Sequence, residues 1–260
     1  VEECIGKGSN ALVYLGHYAD HQLQDLYHKI LIKELFPFDG ENGIFRNQDG
    51  SITVSPEAEK FYEVHRESYL KGNRFHLKLL ADNPGEIDSH INTFEYQNTL
   101  YSILEFTGGR SLLQEVEKED FSLDRIIQCM KGLLNVLKVF HEAGYLHLDI
   151  SLDNILLTGE GETERVTLID YNSIISLAEI QGEGDIILSS RKGYEYTASE
   201  VLHGERDKIG PCTDLYSVTA VFFHLLFKRG RTLTERKSRF TLPDRKGSTA
   251  LKGQSSIVLD

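Results

Sequence analysis

Apolar positions recur in two different ways along the chain. Up to about residue 106 they come in short runs separated by turn signals, the pattern of strands. Beyond it they recur at helical spacing. Residues 4–18 predict a strand, a glycine-containing turn and a second strand. Residues 29–35 (KILIKEL) form a β-rich apolar run with Lys33 inside it. Residues 36–55 are rich in turn signals, including Asn42-Gly43 and Asp49-Gly50, and read as a surface insertion. Ser55-Pro56 suits a helix start, with serine as N-cap and proline at the first helical position. That helix runs towards Leu80, with Gly72-Asn73 as a candidate break. Strands follow near 91–96 and 99–106. Ser122 caps a helix whose Ile126, Met130, Leu133, Leu137 and Phe140 share one face, and Gly144 suits its C-terminal end. A short β pair (155–157 and 166–169), a long irregular loop and a strongly apolar helix over 214–227 complete the order. The expected class is α+β in two lobes: strand-rich over 1–106, helix-rich over 107–260, with a ligand in the crevice between them.

The 260 residues are 40% hydrophobic and 26% charged, an ordinary globular composition that argues against disorder. The formal charge of −12 argues against general nucleic-acid binding, which wants a basic surface. Cys4, Cys129 and Cys212 form no C-x-x-C pair, so neither a disulfide framework nor a cysteine zinc site is expected, and Cys129 and Cys212 read as small packing residues. The longest apolar run, 218–227, is too short to span a membrane, which takes about 20 residues. The chain opens on Val1 rather than Met and reads as an excerpt of something longer.

Three segments carry chemistry. In Gly6-Lys7-Gly8-Ser9-Asn10-Ala11-Leu12-Val13, closely spaced glycines let a backbone turn approach phosphates, although a tight hairpin explains them equally well. The loop is flanked by strands on both sides, which disfavours a dinucleotide fold. Lys33 reads either as an edge-strand charge or, behind that loop, as a phosphate contact. In His147-Leu148-Asp149-Ile150-Ser151-Leu152-Asp153-Asn154, an aspartate follows an apolar helix and an asparagine stands five positions on. The strand Val166-Thr167-Leu168-Ile169 then ends in Asp170. Phosphoryl transfer needs a base or orienter for the attacking hydroxyl and oxygen ligands for magnesium, and Asp149, Asn154 and Asp170 are of the right types.

Together these segments resemble the eukaryotic-type protein kinase family over nearly the whole chain, from Ile5 to about Lys228. The ordered set is the glycine loop, I-L-I-K at 30–33, H-L-D-I-S-L-D-N at 147–154, D-Y-N at 170–172 and A-S-E at 198–200. Asp214-Leu215-Tyr216-Ser217 looks like the start of the buried helix that anchors the catalytic loop in that family. The resemblance implies an ATP- and Mg2+-dependent protein kinase, acting on a protein hydroxyl with Ser/Thr favoured, and cytoplasmic through its need for ATP. Gly6, Gly8, Ser9 and Val13 would cover the nucleotide, and Lys33 would hold its α and β phosphates. Leu104 would wall the adenine pocket, with Glu105 to Thr107 at the hinge. Asp149 would orient the acceptor hydroxyl, and Asn154 and Asp170 would bind magnesium. The resemblance also implies a helix glutamate paired with Lys33; Glu67 is the choice and Glu63 the alternative, since no acidic residue occurs between Ser68 and Leu80.

The departures are specific. Ala11 replaces the third loop glycine. Leu148 replaces an arginine that usually grips a phosphate on the activation loop, so Ser189 and Ser190 are not expected to act as a required switch. Ser151 replaces a lysine that neutralises the γ-phosphate, with Arg191 and Lys192 as candidate substitutes. Tyr171 replaces a phenylalanine. Asn172 replaces a glycine, and tolerates positive φ better than most residues. Residues 228–260 do not read as the family's last helices, and the usual partner of Glu200 is expected to be missing. The LDIS form of the loop is similar to divergent bacterial kinase-like proteins. A kinase-fold scaffold without activity and a small-molecule phosphotransferase remain the alternatives, the second disfavoured by Tyr196-Thr197-Ala198-Ser199-Glu200. His147 reads as a structural hydrogen-bonding residue.

Overall fold

The computed structural model describes residues 3–8, 10–19, 27–37, 43–83, 90–118, 121–183 and 195–228. Ser9, Asn42, Ser189, Ser190, Arg191, Lys192 and the segment 229–260 lie outside the described residues. The chain divides into two compact units, Val1–Gly108 and Gly109–Asp260.

Unit 1 is built on an antiparallel sheet of β1 (Glu3–Lys7), β2 (Ala11–Ala19), β3 (Tyr27–Leu35), β6 (His90–Tyr96) and β7 (Thr99–Glu105), in the order β1-β2-β3-β7-β6. Between β3 and the helix α1 (Glu59–Asp82) lies a hairpin of β4 (Ile44–Arg46) and β5 (Ile52–Val54). Its turn is the Asp49-Gly50 signal, with Gly50 at φ +87° and its N–H donating to the Asn47 carbonyl at 3.0 Å. The hairpin is more than a surface insertion. Ile44 and Ile52 are buried in one cluster with Leu35, Ala58, Tyr62, Tyr69 and Leu100. Each buried isoleucine contributes roughly 1.5–3 kcal/mol, enough to pin a three-residue strand pair to the core.

The helix begins later than Ser55-Pro56 suggests, with Ala58 at its N-cap and no side-chain cap. Ser55 is committed elsewhere: its N–H donates to the Gly43 carbonyl at 2.8 Å, tying it to the hairpin. Nor does the helix break at Gly72-Asn73. Gly72 sits on the buried face with Tyr62, His65, Tyr69, Phe75, His76 and Leu79, and Asn73 Oδ1 accepts the Ser102 hydroxyl at 3.0 Å.

Where α1 meets β6, His76 and His90 are both buried, with their Nδ1 atoms 3.4 Å apart, and His90 Nε2 lies 2.8 Å from the Thr93 hydroxyl. Burial holds the His90 imidazole below its ordinary 6.5. The unfolded chain therefore takes up that proton first. The stability conferred by the neutral ring is complete above about pH 6.5 and is lost as pH falls through that value towards the folded-state value. His224 in the second unit is shifted the same way by burial. The melting temperature should fall between about pH 7.5 and about pH 5.5, and fall less in His90→Asn. Equal falls in both proteins, read by thermal unfolding, would place the acid sensitivity elsewhere.

Unit 2 packs α3 (Leu123–Glu142) against α6 (Pro211–Phe227), preceded by β8 (Arg110–Ser111) and α2 (Leu112–Lys118). Ser122 caps α3, its hydroxyl accepting the Arg125 N–H at 3.2 Å, and Gly144 follows the helix at φ +79°. Ile126, Cys129, Leu133, Leu137 and Phe140 form the buried face. Burial pushes the Cys129 thiol up to about 12, so it packs rather than reacts. Cys212, by contrast, is exposed. Strand β10 (Ile155–Thr158) pairs with β8 on one side and with β11 (Arg165–Leu168) on the other, and β9 (Tyr145–Leu146) pairs with β12 (Ile175–Ser176). Gly132 lets α3 approach this sheet, since a Cβ there would sit 2.7 Å from Val166 Cγ2. The short helices α4 (Leu177–Gln181) and α5 (Ser199–Leu202) lie before α6.

Candidate active site

In unit 1 the candidate residues line β1, β2, β3 and β7. Gly6 pairs with Val13 across β1 and β2, Val13 pairs with Lys33, and Lys33 pairs with Ser102 on β7. Neither Gly6 nor Gly8 is required by the fold around it. An added Cβ would meet Val13 Cβ or the Ala11 carbonyl at an ordinary 3.5 Å, and neither residue has positive φ. Ala11, in the third glycine position, is buried and pairs with Leu35. Leu104 stands beside Leu31, and β7 ends at Glu105, opposite Ile30. Glu105 and Thr107 are exposed, and Gly108 turns the chain at φ +71°.

The helix residue facing Lys33 differs from the sequence expectation. Glu67 and its alternative Glu63 are both exposed, and Glu63 lies 3.9 Å from Arg66. The buried residue over the lysine is Tyr69, its ring centroid 5.9 Å from Lys33 Nζ and its hydroxyl donating to the Lys33 carbonyl at 2.7 Å. At about 100° per residue, Glu67 lies roughly 200° round the helix from that contact, which corrects the assignment.

The opposite face of β3 carries a group that no motif marks. Glu34 is 1% exposed, and its carboxylate accepts Tyr14 Oη at 2.8 Å, Tyr101 Oη at 2.8 Å and Arg46 Nη2 at 2.7 Å. Burial first, then the bond to Glu34, pushes the Tyr14 phenol up to about 12. The Tyr101 phenol is raised for the same reasons.

In unit 2 the loop 147–154 is organised by Asp214, which is fully buried at the start of α6. Its Oδ2 accepts the His147 N–H at 2.9 Å, its Oδ1 accepts the Leu148 N–H at 2.8 Å, and His141 Nε2 lies 2.9 Å from Oδ2. Held this way, Leu148 adopts φ +60°, an unfavourable conformation for a residue with a Cβ. His147 Nδ1 accepts the Asp149 N–H at 3.3 Å, so Nε2 carries the proton and donates to the Ile169 carbonyl at 3.2 Å. Asn154 Nδ2 donates to Asp149 Oδ2 at 2.9 Å and to the Asp149 carbonyl at 2.7 Å. The Ile169 N–H donates to the Asn154 carbonyl at 2.9 Å, which brings the strand end next to Asp170 into the same loop. Tyr171 is buried against Phe140 and His147, its hydroxyl donating to the Leu168 carbonyl at 2.8 Å. Positive φ falls on Asp170 (66°) and not on Asn172, which sits in the 3-10 turn Tyr171–Ser173.

Two departures acquire physical content. Leu148 is buried in a cluster with Leu146, Ile175, Ile180, Val201 and Ile209, so apolar packing occupies the place of the cation. Glu200 Oε1 accepts the Thr213 hydroxyl at 2.9 Å, while residues 229–260, on which the expectation of a missing partner rests, lie outside the described residues. Tyr196 bonds His224 Nδ1 at 2.7 Å, docking the segment before Glu200 onto α6. Ser151 is buried, and its hydroxyl has no hydrogen-bond partner among the described residues.

Asn154 and Asp170 offer an amide oxygen and a carboxylate, the hard donors magnesium takes alongside phosphate and water, so the donor set fits that ion.

The chain is 28% identical over 151 residues to Calcium-dependent protein kinase 24 of Arabidopsis thaliana, covering 58% of this chain and 25% of that protein. It is 26% identical over 153 residues to Serine/threonine-protein kinase 17A of Oryctolagus cuniculus, covering 58% of this chain and 37% of that protein. The match thus spans about a quarter to about a third of these relatives' lengths. The solved structure described as "PpkA-294 apo form" superposes with a TM-score of 0.65 at 24% identity, over 95% of this chain and 84% of that one, a likeness of fold. The family profile for the protein kinase domain matches residues 77–246, which takes in the 147–154 loop, Asp170 and the helix that carries Asp214. By that match the chain belongs to the protein kinase domain family.

Proposed function

We propose that this domain is an ATP- and magnesium-dependent protein kinase that transfers the γ-phosphate to a protein hydroxyl, with serine or threonine favoured. The observation that carries the reading is the Asp149–Asn154 loop, clamped through its backbone by buried Asp214. Asp149 orients the acceptor hydroxyl. As the acceptor oxygen bonds to the γ-phosphorus, the bond from that phosphorus to the β–γ bridging oxygen breaks, ADP leaves, and the hydroxyl proton passes to the Asp149 carboxylate. Lys33 and the glycine loop hold the phosphates, the hinge at Glu105 to Thr107 meets the adenine, and Asn154 with Asp170 would hold magnesium. That ion, when bound, neutralises charge on the phosphates. The Ser/Thr preference takes support from the relative named a serine/threonine-protein kinase. No helix among the described residues is long and apolar enough to cross a membrane. The need for ATP carries the cytoplasmic assignment.

The test is transfer of radiolabelled γ-phosphate from Mg-ATP to the protein itself and to a generic protein acceptor. Asp149→Asn cannot take the proton and should lose about a hundredfold in rate; Lys33→Met should lose as much through misplaced phosphates. Nucleotide binding without transfer would make the domain a binding module. Absence of both in a folded protein would end the kinase reading.

A further inference from the structure

We propose that Tyr69 is the positioning residue for the Lys33 ammonium, supplying from α1 a neutral aromatic face where the kinase pattern supplies a carboxylate. The inference rests on reading Lys33 as a phosphate contact. Three observations carry it.

First, every acidic residue of α1, Glu59, Glu63, Glu67 and Asp82, is exposed, and none belongs to the buried face of the helix. Second, Tyr69 is 1% exposed and locked by Leu35, Tyr62 and Leu100, so its ring has little room to swing away. Third, one side chain binds both ends of the lysine. The hydroxyl donates to the Lys33 carbonyl at 2.7 Å and the ring lies 5.9 Å from Nζ, inside the range in which the negative face of an aromatic ring attracts a cation. One turn further along α1, Asn73 accepts the hydroxyl of Ser102, the cross-strand neighbour of Lys33, so the helix grips the sheet beside the lysine as well. A carboxylate in that place would neutralise the ammonium and would lose its hold in acid. A ring orients the ammonium without adding a charge of its own.

The first readout needs no nucleotide. Lysines are reductively methylated with carbon-13, and the Lys33 signal is identified by its loss in Lys33→Met. A ring-current displacement of that signal is expected in the wild type and in Tyr69→Phe, and its disappearance in Tyr69→Leu, with the remaining lysine signals reporting that the variant is folded. The second readout is Mg-ATP affinity by calorimetry. Tyr69→Leu should weaken binding about tenfold, Tyr69→Phe by no more than about twofold, and Tyr69→Leu added to Lys33→Met should cost nothing further. A Lys33 signal unchanged in Tyr69→Leu, or losses that add in the double variant, would overturn the proposal. A displaced signal in a protein that binds no nucleotide would support the Tyr69–Lys33 contact and count against the kinase reading instead.

Discussion

Asp214→Ala is expected to destabilise unit 2 by about 3–5 kcal/mol and to disorder the loop that holds Asp149. The carboxylate is fully buried and accepts two consecutive backbone N–H groups, from His147 and Leu148, besides facing His141. Removing it leaves both N–H groups without an acceptor in a site water does not reach, at about 1–3 kcal/mol each. It also removes the hydrogen bond that holds the Leu148 N–H at φ +60°. Asp214→Asn is no conservative replacement. One oxygen can still accept a single N–H, but the amide nitrogen then presents its own hydrogens to the other donor. His141→Ala removes the most exposed of the three contacts and should cost only about 1 kcal/mol. Thermal unfolding should show a fall of roughly 10 °C for Asp214→Ala. Hydrogen exchange should show amides 147 and 148 losing protection. A shift of about 2 °C or less, with those amides still protected, would mean that the loop is held by its apolar cluster.

Glu34→Leu is expected to cost about 3 kcal/mol, although no catalytic role is assigned to Glu34. Three donors converge on a carboxylate that is 1% exposed, one of them the Arg46 guanidinium on the β4–β5 hairpin. Loss of the carboxylate leaves two phenols and a cation without their acceptor. Arg46 is about a third exposed and stacks on Phe36, so it can turn partly to solvent, which keeps the cost below that of a sealed ion pair. Arg46→Met alone should also destabilise, because it strands the buried carboxylate. The double variant Glu34→Leu/Arg46→Met should be more stable than the sum of the two losses predicts. Urea unfolding of the four proteins gives the coupling directly. Strict additivity would mean that Glu34 is held by the two tyrosines and owes nothing to the hairpin.

Much of this protein is legible along the chain, for a local reason. Glycine loop, lysine strand, His147–Asn154 and Asp170 are each contiguous, and their order survives because each occupies one loop or strand end. The α3 helix was readable from Ser122 to Phe140 because the cap and the 3.6-residue period are properties of neighbouring residues. Glu34 and Arg46 stand twelve positions apart with no pattern between them, and neither is marked by any motif. Ile44 and Ile52 fall in the segment 36–55, whose turn signals read as a surface insertion, and only the cluster around Leu35 gives them a core.

The sequence by itself therefore determined the α+β class, the order of the main elements and the membership of the protein kinase domain family. Tertiary structure alone decided which way α1 faces, because polar residues lie around most of that helix. A shift of two residues turns a side chain through about 200°, and packing on the sheet selected Tyr69 over Glu67. It also decided that Leu148 fills an apolar cluster and that Asp214 holds the loop, since both depend on segments more than fifty residues away meeting in one core. Short-range periodicity records which residues share a face; only the packed chain records what that face meets.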